Sequence, residues 1–246
     1  MFKQRKYNYN NETGTLTIDG KCGIIERGNI MKAVCGSNPN APYYTTLKHV
    51  VFENQDFISI IGKEAFHNCR GIQKIDIPRK VTRIERDAFN NCQGLTFPIK
   101  FPPELEYLGE CAFIGCKELT GSIVLPKSLS DTIGERTFGR CEKLSGTLEI
   151  PQNIRYIYDA AFSGCSGIEK LILNENIIRI TEAAFMCCTG LREIHCKSKL
   201  PPKLGENVFY KVDKKSCKLI IPNGVDVLLA YKKAEQWKDF FIIEQC

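Results

Sequence analysis

The chain has little of what catalysis near neutral pH recruits. Among 246 residues there are three histidines (His49, His67, His195), one tryptophan and three methionines. So few histidines leave a Cys-His or Ser-His arrangement almost no bases to draw on. The phrases G-x-S-x-G, H-E-x-x-H, G-x-x-x-x-G-K-[ST] and G-x-G-x-x-G are all missing. No C-x-x-C pair occurs either, and the histidines near cysteines, His67 and His195, have no second pair to complete four metal ligands. The expectation is no catalytic residues, no metal and no cofactor. No run approaches the roughly 18 apolar residues of a membrane span, and the opening MFKQRKYNYN carries charge without an apolar core. Neither a membrane span nor a visible export signal is expected in the sequence as it stands.

Charge excludes little. The net charge of +6 is mild, and only the stretch 197–218 is lopsided, with seven lysines against Glu206 and Asp213. A solvated basic face is the plain reading, and nucleic acid is not expected as a partner. A polyanion site for heparin or nucleic acid through 197–218 is the alternative.

What is present is a repeated phrase. AFHNCRGI returns as AFNNCQGL, AFIGCKEL, TFGRCEKL, AFSGCSGI and AFMCCTGL. Its phenylalanines, Phe66, Phe89, Phe113, Phe138, Phe162 and Phe185, with Phe209 after them, are spaced by 23, 24, 25, 24, 23 and 24 residues. Self-similarity at this period predicts a leucine-rich-repeat solenoid of α/β class: a right-handed coil, short strands on a concave sheet, short helical turns on the convex side. Other columns move in step. An apolar residue stands five before each marker (Ile61, Ile84, Leu108, Ile133, Ile157, Ile180, Leu204), and a short alternating strand follows. That strand turns Ile75 and Ile77, Ile99 and Phe101, Ile123 and Leu125, Leu148 and Ile150, Leu171 and Leu173, or Ile194 and Cys196 inward. One coil cannot bury its own apolar side, so each column becomes a ladder with phenylalanine on phenylalanine.

Both ends depart from the period. Residues 7–18 read as two strands around a turn at Asn11–Gly14, and 213–246 as strand, helix and final strand. The expected organisation is one structural domain, with an N-terminal cap over 1–46, repeats over 47–212 and a C-terminal cap over 213–246.

The cysteines number thirteen, and six of them, Cys69, Cys92, Cys116, Cys141, Cys165 and Cys188, share one column three residues after the phenylalanine. A bridge pairs two residues, whereas a ladder position meets equivalents both above and below, so buried small apolar side chains are expected there. If a bridge exists, Cys22 with Cys35 is the suggested pair.

The pattern I-G-x-x-A-F-x-x-C-x-x-L-x-x-I-x-I-P, with GTLTI before it and Tyr231, Lys232, Ala234, Trp237 and Lys238 closing it, resembles the BspA-like (Treponema pallidum type) leucine-rich-repeat proteins. The resemblance covers nearly the whole chain. It implies a bacterial cell-surface or secreted protein, non-catalytic, acting as an adhesin or host-interaction module on a protein ligand such as host matrix or another cell surface. Two departures are read as tolerated variation: Asn174 in place of the strand-ending proline, and Val212 in place of the last cysteine. An intracellular, cytoplasmic scaffold for protein–protein interaction is the alternative, and a monomer or weak oligomer is expected.

The outward strand positions are the candidate binding face: His49, Lys74, Asp76, Lys100, Val124, Thr147, Glu149, Lys170, Ile172, Glu193 and His195, with Val51, Pro98 and Ser122 beside them. Trp, Tyr and Arg, favoured at binding hot spots, are missing from that set. At about 4.8 Å per strand, His49 and His195 stand roughly 30 Å apart and cannot share a site.

Overall fold

The computed structural model describes residues 6–35 and 43–246. At the N-terminal end, strands Tyr7–Asn10 and Thr15–Asp19 form an antiparallel hairpin, its turn held by Asn10 Oδ1, which accepts from the N–H groups of Glu12 and Thr13. Thr15–Asp19 then pairs in parallel with His49–Glu53, so the hairpin seals one end of the stack.

Beyond it the chain winds as a solenoid with two strand ladders. The first is the expected one. Gly146–Glu149, Ile168–Leu173, Glu193–Cys196, Lys218–Ile221 and Ile242–Gln245 make a five-stranded parallel sheet. Its inward residues Leu148, Leu171, Ile194 and Leu219 are buried, because the pleat sends alternate side chains to opposite faces.

The continuous sheet expected from residue 47 onward is interrupted between 72 and 125. Ile75, Ile99 and Ile123 are still buried, but the β-bridges there are isolated ones among the described residues: His49 to Lys74, Gly121 to Leu144 and Val124 to Glu149. The physical cause lies in the sequence TFPIKFPP. Pro98 has no N–H to give a ladder, and a Cβ at Gly121 in the next coil would lie 2.8 Å from the Pro98 ring. Lys74, Asp76, Lys100 and Val124 therefore sit outside the regular sheet.

The second ladder consists of two-residue strands around the apolar position five before each phenylalanine. Ile24–Ile25, Ile60–Ile61, Arg83–Ile84 and Tyr107–Leu108 form one set. Thr132–Ile133, Tyr156–Ile157, Arg179–Ile180 and Lys203–Leu204 form the other.

Between the ladders, the convex segments expected as short helical turns are turns whose hydrogen bonds alternate in direction. The N–H groups of Glu64, Phe66 and Asn68 donate to carbonyls of the next coil, at Arg86, Ala88 and Asn90. Those of Ala65, His67 and Cys69 donate three residues back, to Gly62, Glu64 and Phe66. The alternation needs a left-handed residue on either side of the phenylalanine. Glu64 and Asn68 have φ of 55° and 61°, and the pair recurs in every coil down to Asn207 and Lys211 at 54° and 65°. Only Gly115 and Gly164 meet that demand with glycine. At the other positions each residue costs about 1 kcal/mol, which the inter-coil bonds offset.

Inside, the seven phenylalanines stack. Successive ring centroids lie 5.2, 4.9, 5.6, 5.4, 5.5 and 5.8 Å apart and the rings are within 14° of parallel. Each such contact adds about 0.5–1.5 kcal/mol to the burial of the ring. The column ends on Trp237, tilted 59° to Phe209, with Phe240 edge-on beside it. Trp237 is fixed by its indole N–H, which donates to Pro202 O at 2.9 Å, and Tyr231 by its hydroxyl on Ser198 O at 2.8 Å.

Candidate binding faces

The cysteine column explains why so many thiols lack chemistry. Cys92, Cys116, Cys141, Cys165 and Cys188 each donate to the carbonyl of the phenylalanine one coil earlier, at 3.0–3.2 Å. Burial pushes the Cys116 and Cys165 thiols up to about 12 and the Cys196 thiol up to about 11. All three are protonated near pH 7 and poor nucleophiles; Cys116 and Cys165 donate, whereas Cys196 Sγ accepts from the Tyr231 hydroxyl at 3.1 Å. Cys22 carries a free thiol; the Cys35 side chain, the other end of the suggested bridge, lies outside the described residues. His67 sits half-buried on its turn, with Nδ1 unpartnered among the described residues. His49 and His195 lie on strands separated by the whole run of coils. Among the described residues no three His, Cys, Asp or Glu side chains are placed to hold a metal, and no helix is long and apolar enough to cross a membrane.

The first ladder orders the candidate residues into two rows. Strand register sets Thr147, Lys170, Glu193 and Lys218 side by side, and next to them Glu149, Ile172, His195 and Ile220. Signs alternate along the first row. Lys170 Nζ is 3.1 Å from Glu193, and His195 Nε2 is 3.0 Å from the same carboxylate. The hydrogen bond to His195, and then that to Lys170, hold the Glu193 carboxyl below the usual carboxylate range. Where the sheet begins, a groove of about 500 Å³ opens between Ser122, Val124, Lys127, Glu149, Gln152 and Lys197. Val124 is 76% exposed at its rim. Of the remaining candidates, Lys74, Asp76 and Lys100 lie in the interrupted region, with Lys74 and Asp76 paired to each other at 3.1 Å, and His49 lies on the strand paired with Thr15–Asp19.

The lysines of 197–218 do not gather. Lys197 reaches Glu149, Lys214 reaches Asp239 and Lys218 reaches Glu244, at 3.5, 3.3 and 3.1 Å. Lys218 lies on the first ladder, Lys203 on the second and Lys211 on the convex turn over the Tyr210 ring. Asn174 is more than a stand-in for proline. It is buried, its amide donates to Pro151 O and Ile154 O, and its Oδ1 accepts from Asn176 N–H, so one side chain ends its strand and caps the preceding coil.

The profile of the BspA-type leucine-rich-repeat region matches in six copies, over residues 38–131 and 121–231. The chain belongs to the BspA-type leucine-rich-repeat family. Repeats of this family imply a protein-binding role, and solenoids of this kind are typically non-catalytic. Among solved structures, the leucine-rich-repeat protein of T. pallidum is similar over 83% of this chain and 84% of its own, at 22% identity and a TM-score of 0.52. A leucine-rich cell-surface protein from Faecalibacterium prausnitzii A2-165 is similar at 21% identity and a TM-score of 0.49, over 76% of this chain. The chain spans 57% of that protein's length. None of the curated proteins matches.

One part of the BspA-type surface had no counterpart in the sequence analysis. The tyrosine and arginine side chains missing from the first ladder stand on the second, at Arg83, Tyr107, Tyr156 and Arg179, with Tyr158 one residue beyond its strand. The available signal was a column of carboxylates three residues before the marker: Glu110, Glu135, Asp159, Glu182 and Glu206.

Proposed function

We propose that this chain is a non-catalytic protein-binding module, a cell-surface or secreted adhesin, that engages a protein ligand through the outer face of the first ladder. The observation that carries this reading is the groove at Val124, Glu149 and Lys197. It sets an exposed aliphatic side chain against paired charges at the start of an ordered sheet. Apolar contact ringed by polar groups is the usual anatomy of a binding site. Alternating charges along Lys170, Glu193 and Lys218 would fix register more than they would add affinity. Weak, multivalent contact suits such a face. The test is a pull-down of matrix and plasma proteins on immobilised protein. A salt-tolerant partner that is retained by the native chain and lost on replacing Lys100, Glu149 and Lys170 by alanine, or on Val124→Asp, supports the reading. A partner indifferent to all these changes removes the site from this face.

The intracellular scaffold is supported by a different observation. The column thiols act as hydrogen-bond donors, a role that requires them reduced. Capture of cytoplasmic proteins with no matrix protein retained would favour it.

A further inference from the structure

The second ladder carries a recognition arrangement that the chain completes for itself in one coil and leaves open two coils on. At Arg83 the guanidinium lies 4.3 Å from the centre of the Tyr107 ring, and its Nε is 2.9 Å from Glu85. A cation is thus held between an aromatic face and a carboxylate, both of which favour it. Further along the same ladder the ring and the acids recur. Tyr107, Thr132 and Tyr158, together with Glu110, Glu135 and Asp159, line an open groove of about 240 Å³. Gly134 also lines it; an added Cβ there would meet Thr137 Oγ1 at 3.3 Å and the Glu110 backbone at 3.5 Å, so the glycine lets neighbouring coils approach. Tyr158 is 42% exposed, and among the described residues no cation lies over its ring. Two arginines approach the acids: Arg136 pairs with Glu135, and Arg86, bound chiefly to Asp87, reaches Glu110 at 3.8 Å. Asp159 has no ion pair among the described residues.

The acids continue. Position three before the marker is basic in the first coils, at Lys63 and Arg86, and acidic in every coil from Glu110 to Glu206. At about 4.8 Å per coil the five carboxylates run for roughly 20 Å, the length of about six extended residues. A mildly basic protein therefore presents an acidic row, flanked by Tyr107, Thr132 and Tyr156 in its first three coils and by Arg179 and Lys203 in its last two.

We propose that this face binds an extended lysine- or arginine-rich segment of a partner protein, with one cationic side chain seated on Tyr158 between Glu135 and Asp159. The site is separate from the first ladder, so either assignment can fail without the other.

The test is fluorescence anisotropy with labelled hexalysine, and with labelled hexaglutamate as control, at fixed ionic strength. Hexalysine should bind and hexaglutamate should not. Glu135→Gln with Asp159→Asn should weaken binding about tenfold, and Tyr158→Ala, which leaves the charge unchanged, about three- to fivefold. Glu12→Gln with Glu53→Gln, an equal charge change on exposed residues near the N-terminal hairpin, should leave it unchanged. Equal losses from both double variants, or full binding by Tyr158→Ala with its melting curve intact, would overturn the assignment. So would spermine binding more tightly than hexalysine, since the occupant would then be a small polyamine.

Discussion

The Cys116 thiol lies 3.2 Å from the carbonyl oxygen of Phe89, in the preceding coil, and donates a hydrogen bond to it. The column position thus does two jobs, filling space against a neighbouring coil and giving a second donor to an oxygen that also accepts from Cys92 N–H. Cys116→Val keeps the bulk and removes the thiol donor, so it should lower stability by about 0.5–1.5 kcal/mol. Urea unfolding checks this, and an unchanged midpoint would reduce the column to packing alone.

The thiols also set a pH limit. Cys116 and Cys165 titrate near 12 in the folded chain against an ordinary value of 9.0. The folded state therefore holds protons that the unfolded state releases. Their contribution is fully present below pH 9 and is lost as pH rises from 9 towards 12. Melting temperature against pH should be level up to about pH 8 and then fall, less steeply in Cys116→Ala/Cys165→Ala than in the native chain. Parallel curves would contradict the linkage.

Phe113 stacks on Phe89 and Phe138 and meets the edge of Phe101. Phe113→Ala should cost about 3–5 kcal/mol, and more than Phe66→Ala, which removes a ring stacked on Phe89 alone within the column. Calorimetry on both variants decides it, equal losses being the outcome that counts against nearest-neighbour stacking.

The left-handed positions predict opposite signs for two small changes within one turn. Gly164 has φ of 77°, and an added Cβ there would meet backbone no nearer than 3.5 Å, so Gly164→Ala should cost about 1 kcal/mol through its dihedral alone. Ala160, with φ of 51°, should gain about 0.5 kcal/mol on replacement by glycine. Thermal melts of the two variants shifting in the same direction would refute the backbone account.

The period made the solenoid legible because Phe and Cys recur in columns whose burial is obligatory. The hairpin was legible from an alternating run around the Asn- and Gly-containing turn that ends at Gly14. What stayed hidden shares a physical cause: it resides in backbone direction, not in side-chain type. Left-handed dihedrals fall on Glu64, Arg136 and Ala160, residues that do not advertise them. The second ladder is built from two-residue strands, too short to show alternation, so the outward tyrosines at 107 and 156 carried no strand signal. The break in the first ladder was written in Pro98, which the period alone treats as one more outward position.

Trp237 gives the aromatic column a terminus. Its indole turns 59° out of line and is tied to the backbone at Pro202, so a further ring has no parallel face on which to continue. Length is thereby separated from termination: duplicating the residues of one interior coil would extend the molecule by a single spacing and leave the terminating group unchanged. The reach of such a protein can be altered in whole-number steps, with no redesign of its end.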